Sequence, residues 1–337
     1  MKLFKIILFT LLICTLSFAI LSCSRECVHE FEKGECTKCG ERDPDYIEPV
    51  HIMEFGTFAS DGTLFLTEYR SNQDNNVVRI PATYEGKTVT AIDKYVFSEQ
   101  GKEAFYIPAT ITKIDTSAFE YSYSSGEDLI PVNIYYDGTL EDWMNIEFVN
   151  RFSNPMSMGA THFYIKDGDG YTEITKLNIP EGTTSIKNCT FYNFSFVTEI
   201  SLPEGLTSIG HYSLTGTSIT SLTLPSTLKY MGEWALAYTK LTSITIPSSV
   251  MYIGTQVFLG CHETLATINF ESTQEWYDVT VINTYADEHT FEAIQNNKYR
   301  TLKTPTEFFE ENGTPNYYDL FTRPKEHNFF GYYKGTN

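Results

Sequence analysis

The chain has 337 residues, with 24 Lys and Arg against 43 Asp and Glu and a formal net charge of −19. A polymer this acidic repels phosphate backbones and anionic headgroups, which excludes nucleic acid as a partner and disfavours direct contact with an anionic lipid surface. The length suits one extended domain with appendages.

Residues 1–22 read as an export signal. Lys2 and Lys5 precede an apolar run from Ile6 to Leu21, which is too early and too short to be a spanning helix of the mature protein. The run ends at Ile20-Leu21-Ser22-Cys23, which resembles a bacterial lipobox apart from the large Leu21. That resemblance implies cleavage before Cys23, lipidation of its thiol, and anchoring to a membrane through acyl chains. The other reading is ordinary cleavage after Ala19 at the small-x-small site Ser17-Phe18-Ala19.

Residues 23–46 form a tether with a Cys/His cluster. Cys27, His29, Cys36 and Cys39 supply three thiols and an imidazole in a compact stretch, enough for a tetrahedral zinc site. Cys36-x-x-Cys39-Gly40 looks like a zinc-ribbon knuckle, and Lys33-Gly34 sits where a hairpin turn would be needed. An exported segment is also open to oxidation, so a disulfide stands as the rival reading, and an unstructured tether as the third.

Residues 47–302 are dominated by a repeat. Ile174–Pro180, Val197–Pro203, Ile219–Pro225 and Leu241–Pro247 share the pattern apolar-x-x-apolar-x-apolar-Pro, and their prolines recur every 22 or 23 residues. Six residues after each proline stands Ile186, Ile209, Met231 or Ile253, and five further on Phe191, Leu214, Leu236 or Phe258. Units around Pro81 and Pro108 carry the same five-residue pairs, Ile92/Phe97 and Ile114/Phe119, with Ile114 six residues after Pro108 and Ile92 eleven after Pro81. The residue before each large one is small or β-branched: Val96, Ala118, Thr190, Ser213, Ala235, Val257. In-phase apolar columns at a fixed period predict a solenoid whose units complete their cores only by stacking. The alternating core of each unit predicts a strand, the proline ends it, and strands sharing direction and register lie side by side in parallel.

The run I-x-I-P-x-x-V-x-x-I-G-x-x-A-F, best kept in Ser243–Phe258, resembles the BspA-like leucine-rich-repeat proteins of bacterial surfaces. Val77–Phe97 looks like a first repeat of such proteins. The turn glycine is kept at Gly210, Gly232 and Gly254 and replaced by Asp93, Asp115 and Lys187 elsewhere. The resemblance implies a β-rich solenoid, a parallel sheet on one face with short turns or helices on the other, and adhesion to host or matrix proteins or to other cells.

Two Trp-containing inserts interrupt or end the array, at Tyr135–Phe148 and Ile268–Val281. In each a hydroxyl residue lies four before the Trp (Thr139/Trp143, Ser272/Trp276) with an acid three after the hydroxyl (Asp142, Glu275), the spacing of an N-cap and a short helix. Both tryptophans read as buried packing groups. Asp167-Gly-Asp169-Gly begins like a calcium loop, lacks its continuation, and reads as a turn. Cys189 and Cys261 fall in repeat columns and read as inert core thiols; His211 and His262 fall in repeat turns and read as polar surface residues.

Residues 303–337 break the repeat and carry nine aromatic residues, from Phe308 to Tyr333. They read either as a cap on the last repeat or as a contact segment. No nucleophile elbow, phosphate-cradling glycine loop or His-Glu-x-x-His is present, so no enzymatic activity is expected and no cofactor beyond zinc.

The expected binding face is the outward side of the strands: Asn178, Ser201, Thr223, Thr245 and Asn269, flanked by Lys176, Glu199, Ser221, Ser243 and Thr267. These small polar residues suit a broad protein contact and offer no aromatic platform for sugars. The expected protein is therefore a lipid-anchored adhesin at the outer surface of a bacterial envelope; the alternative is a glycan- or nutrient-capture lipoprotein, which an exposed tryptophan pair would favour.

Overall fold

The computed structural model describes residues 31–32, 35–36, 51–71, 77–98, 102–121, 132–254, 256–261, 263–272, 276–279, 300–301 and 331–334. The described residues fall into two units, one holding 31–32, 35–36, 51–52 and 71, the other holding the rest. In the first, strand β1 (Phe31–Glu32) pairs antiparallel with β2 (Glu35–Cys36), Phe31 opposite Cys36, on either side of Lys33-Gly34 in sequence. Residues 1–22, Cys23, Cys27, His29 and Cys39 lie outside the described residues.

The repeat array holds β3 (His51–Thr57), β4 (Leu64–Ser71), β5 (Val77–Arg79), β6 (Thr83–Tyr84), β7 (Lys87–Ile92), β8 (Ala104–Ile107), β9 (Lys113–Ile114) and β10 (Val132–Tyr136). Helix α1 (Leu140–Asn145) follows, then β11 (Glu147–Phe148), β12 (Ala160–Asp167), β13 (Gly170–Glu173), β14 (Lys176–Asn178), β15 (Ser185–Ile186), β16 (Glu199–Ser201) and β17 (Ser208–Ile209). The last are β18 (Tyr230–Met231), β19 (Ser243–Ile246), β20 (Tyr252–Gly254), β21 (Thr267–Phe270), β22 (Trp276–Val279), β23 (Arg300–Thr301) and β24 (Gly331–Lys334).

Hydrogen bonds between coils run along three sides of the array. On the first side, β5, β8, β10 and β12 run parallel, β13 closes their edge antiparallel, and β14–β16 and β19–β21 follow as parallel pairs. On the second side, β4, β7, β9 and β11 run parallel, as do β15, β17, β18 and β20. On the third, turn residues bond directly from coil to coil: Cys189 N to His211 O (2.8 Å), Tyr212 N to Glu233 O (2.9 Å), Leu236 N to Val257 O (3.0 Å). The parallel solenoid expected from the period is the architecture found.

The apolar columns fill the interior, as the pattern requires. Ile92, Ile114, Ile186, Ile209 and Met231 are fully buried, and so are Phe97, Phe119, Phe191, Leu214 and Leu236. Coils approach closely at the turn glycines: a Cβ on Gly232 would lie 2.5 Å from His211 N, and one on Gly254 2.3 Å from Glu233 N. Three residues after each Ile or Met of the column the backbone turns left-handed, at Tyr95, Ser117, Cys189, Tyr212, Trp234 and Gln256, with φ between 53° and 62°.

The structure corrects four expectations. The first insert does not interrupt the solenoid, because β10 and β12 extend the first-side sheet and β11 the second-side sheet, with α1 bridging them. Thr139 caps α1 in a reciprocal box with Asp142, as its spacing predicts. The second insert forms no helix at its tryptophan: Trp276 opens strand β22, which pairs antiparallel with β24, so ladder hydrogen bonds have overridden the local cap signal. Ser221 and Thr223 are not in a strand, because residues 221–224 lack a ladder to β16 or β19. Their in-and-out alternation survives, with Leu222 and Leu224 buried and Ser221 and Thr223 exposed, since side-chain burial alone sets it. Finally, His211 is buried rather than a surface group. Its Nδ1 accepts from Glu233 N (3.0 Å), which leaves Nε2–H to donate to the Tyr230 hydroxyl (2.9 Å), a neutral tautomer fixed by both partners.

Candidate functional site

All ten residues expected on the binding face are exposed: Lys176, Asn178, Glu199, Ser201, Ser221, Thr223, Ser243, Thr245, Thr267 and Asn269. Ladder register places Asn178 opposite Ser201 and Thr245 opposite Asn269. Lys176 Nζ donates to Glu199 Oε2 at 2.7 Å, so the two charges on this face satisfy each other. Being exposed, that pair contributes only about 0–1 kcal/mol. Thr223 sits between the two pairs on unladdered backbone.

The same outward position continues toward the N-terminus with different chemistry. Arg79 and Tyr106 stand two residues before Pro81 and Pro108, as Asn178 does before Pro180. Register lines up Arg79, Tyr106, Tyr135 and Tyr164 across β5, β8, β10 and β12. Tyr106 stacks on Tyr135 at 4.5 Å and 8°, and Tyr135 on Tyr164 at 4.7 Å and 10°. The guanidinium of Arg79 covers the outer face of this pile, 3.5 Å from the Tyr106 centroid. Tyr171, from the β12–β13 hairpin, sets its ring at a steep angle to Tyr106 and Tyr135 and donates its hydroxyl to Asp137 Oδ1 at 2.5 Å. Burial and that bond hold the Tyr171 phenol well above its usual range.

These rings are half-buried, and their stacking turns their faces toward one another. The face is therefore aromatic in the early coils and small-polar in the later ones, where the later repeats alone predict a uniformly polar one. The signal was available: Arg79 and Tyr106 occupy the position of Asn178 in the two early repeats.

Other groups carry no chemistry of their own. Trp143 is fully buried, packed on Tyr136, Phe148 and Phe163, with Nε1 donating to Thr190 O. Cys189 and Cys261 are buried and unbridged; burial pushes the Cys189 thiol up to about 12 and the Cys261 thiol up as well, which makes both poor nucleophiles. Asp167-Gly168-Asp169-Gly170 is the tight antiparallel turn joining β12 to β13, Asp167 facing Gly170. Among the described residues no group of three or more His, Cys, Asp or Glu is placed to hold a metal, and no helix is long and apolar enough to cross a membrane.

The profile described as "BspA type Leucine rich repeat region" matches residues 75–164 and 170–298 in six copies. No curated protein matches the chain significantly. Similar solved structures include a leucine rich cell surface protein from Faecalibacterium prausnitzii A2-165, 22% identical with a TM-score of 0.41, where the match covers 68% of this chain and 55% of that one. A leucine-rich repeat protein from Bacteroides ovatus ATCC 8483 is 18% identical with a TM-score of 0.35, covering 68% and 66%. The T. pallidum leucine rich repeat protein is 15% identical with a TM-score of 0.30, covering 65% and 80%. The chain thus spans about half the length of the Faecalibacterium protein it matches.

Proposed function

The chain belongs to the BspA type leucine rich repeat family, and from that premise we propose that it is a cell-surface scaffold that binds proteins, an adhesin for host or matrix proteins or for other cells. Family membership supports a non-enzymatic repeat scaffold. Two sets of outward residues support the location of the contact: Arg79, Tyr106, Tyr135 and Tyr164 in register on β5, β8, β10 and β12, and the exposed small polar residues Asn178, Ser201, Thr223, Thr245 and Asn269 of the later coils. Tyrosine is the residue type that interfaces favour, since it joins an apolar body to a hydroxyl. Rings already stacked lose little further freedom when a partner lands on them.

The test is binding of the mature protein to a panel of immobilised extracellular-matrix proteins and to whole cells. Tyr135→Ser, at the centre of the pile, and Thr223→Glu, which puts an unpaired charge into the contact, are both expected to weaken capture. Binding that ignores both changes would overturn this placement of the contact.

Attachment through a lipidated Cys23 belongs to the same proposal, supported by the lipobox-like ending of the apolar run. Cys23→Ser is expected to release the protein from the membrane fraction. A zinc ion on Cys27, His29, Cys36 and Cys39 would stiffen the tether, and elemental analysis at close to one zinc per chain is the expected result. A Cys36–Cys39 disulfide without metal would replace it.

A further inference from the structure

The two Trp-containing inserts leave the first side by the same path and then part. Asp137 N donates to Ile107 O at 2.9 Å in the first, and Glu271 N to Ile246 O at 3.1 Å in the second, each one residue past the end of its strand, β10 or β21. Thr139 lies four before Trp143 with Asp142 three after it; Ser272 lies four before Trp276 with Glu275 three after it. In the first insert this signal makes a helix, of which Trp143–Asn145 are the last residues. In the second, the equivalent Trp276–Asp278 lie in strand β22. One local signal has two outcomes within one chain, so a non-local contact decides between them.

That contact is β24. Along the second side, strands of successive coils pair directly and in parallel: β4 with β7, β7 with β9, β9 with β11, and β15 through β17 and β18 to β20. β20 departs from this rule. Its next neighbour is β24, antiparallel, with Ile253 opposite Tyr332. The other edge of β24 pairs antiparallel with β22, Asp278 opposite Tyr332. β20 and β22 consequently run the same way, as strands of successive coils do, with β24 wedged between them. The first insert supplies the pattern without a wedge: β11 pairs directly with β9 and begins four residues after Trp143. The same count from Trp276 reaches Thr280. A ladder at Trp276–Val279 and a helix through Trp276–Asp278 exclude each other, because each backbone N–H serves one partner.

We propose that β24 is a removable latch, and that its withdrawal lets Trp276–Asp278 take the helical form of Trp143–Asn145. Seated, β24 gives Trp276–Val279 ladder partners, and Trp, Tyr and Val are residue types that suit a strand. Withdrawn, it takes those partners away, and the Ser272 hydroxyl stands at the N-cap position to start a helix, as Thr139 does for α1. The exchange swaps one set of backbone hydrogen bonds for another, the condition under which two packings of one sequence interconvert. Residues 302–330 separate β24 from β23 in sequence, so β24 can leave its slot without drawing β23 with it. A partner that pairs with residues 331–334 would open this end of the array. The latch does not depend on the protein-binding reading.

The experiment follows the backbone carbon chemical shifts of Trp276, Tyr277 and Asp278 in isotopically labelled mature protein. Wild type is expected to give strand shifts. Tyr332→Pro puts a residue without an N–H into a strand paired on both edges, which expels β24, and the shifts are expected to become helical. A chain ending at Phe330 is expected to behave the same way. Adding Ser272→Ala to Tyr332→Pro removes the cap and is expected to abolish the helical shifts, while Ser272→Ala alone leaves the wild-type strand shifts in place. The amides of Ile209 and Met231 report the core and are expected to stay protected from exchange throughout. The proposal is overturned if Trp276–Asp278 are already helical in wild type, or are strand-like or random-coil in either chain lacking β24. It is also overturned if Ser272→Ala leaves the helical shifts intact, or if Ile209 and Met231 lose protection in either variant.

Discussion

The indole Nε1 of Trp143 donates to the backbone carbonyl of Thr190 at 2.9 Å, joining the helical insert to a repeat 47 residues further along the chain. Asn154 Nδ2 donates to the same carbonyl at 3.1 Å and to Cys189 O at 2.8 Å, so the insert and the repeat share one buried polar junction. Trp143→Phe keeps most of the ring volume and leaves the carbonyl one donor; the expected cost is about 1–2 kcal/mol. Trp143→Ala opens a cavity among Tyr136, Phe148 and Phe163 and is expected to cost about 3–5 kcal/mol. Urea unfolding of both variants checks the ordering, and equal losses would assign the effect to the hydrogen bond instead of to packing.

The turn glycines set how closely coils stack. Gly254→Ala would place a Cβ within 2.6 Å of three backbone atoms of Gly232 and Glu233, none of which is a flexible side-chain end. The coils must separate, at an expected cost of about 1–3 kcal/mol or more. Gly170→Ala is the control, because its nearest neighbour would be Asp167 O at 3.7 Å. A Gly254→Ala melting temperature equal to that of Gly170→Ala would contradict the close approach.

Tyr136 is fully buried, and its hydroxyl has no hydrogen-bond partner among the described residues. Tyr136→Phe removes the orphaned group at nearly constant volume and is expected to be neutral or stabilising by up to about 1 kcal/mol. Burial holds this phenol above its usual range, as it does that of Tyr252. A raised folded-state value favours the protonated form, so the associated stability is complete below about pH 10, the unfolded value, and falls as pH climbs beyond it. The alkaline loss should therefore be shallower in Tyr136→Phe than in wild type, measured by denaturant midpoints from pH 9 to higher values. A steeper loss would reverse the sign.

Phe258 and Thr245 test the phase of the last repeats. Phe258 is 1% exposed, and Phe258→Ala is expected to cost about 3–5 kcal/mol, with hydrogen exchange rising first in the C-terminal coils. Thr245 lies outside between buried Ile244 and Ile246, and Thr245→Ala is expected to change stability by less than about 0.5 kcal/mol. Equal destabilisation would mean that the strand faces are reversed.

Much of this was legible before any coordinates. Side chains whose column repeats every 22 or 23 residues have no alternative burial, so Ile186, Ile209, Met231 and their Phe and Leu partners could be placed inside from period alone. The cap on α1 was legible too, because Thr139 and Asp142 act within one helical turn. The same signal misled at Ser272, where Trp276 joins a strand whose partner, β24, lies more than fifty residues away in sequence. The outward tyrosine row was half legible: Tyr106 shares its proline spacing with Asn178, while Tyr135 and Tyr164 enter the row only through the register of β10 and β12.

The sequence by itself determined the solenoid, its in-and-out phase, its turn glycines and its acidic charge, since each of these follows from local chemistry repeated at a constant interval. The tertiary structure alone decided which residues of different coils meet. Stacking coils places Tyr212 over Trp234 and closes hydrogen bonds around both nitrogens of His211. It also leaves residues 221–224 without a ladder. These outcomes depend on the close spacing of neighbouring coils, which no single repeat encodes.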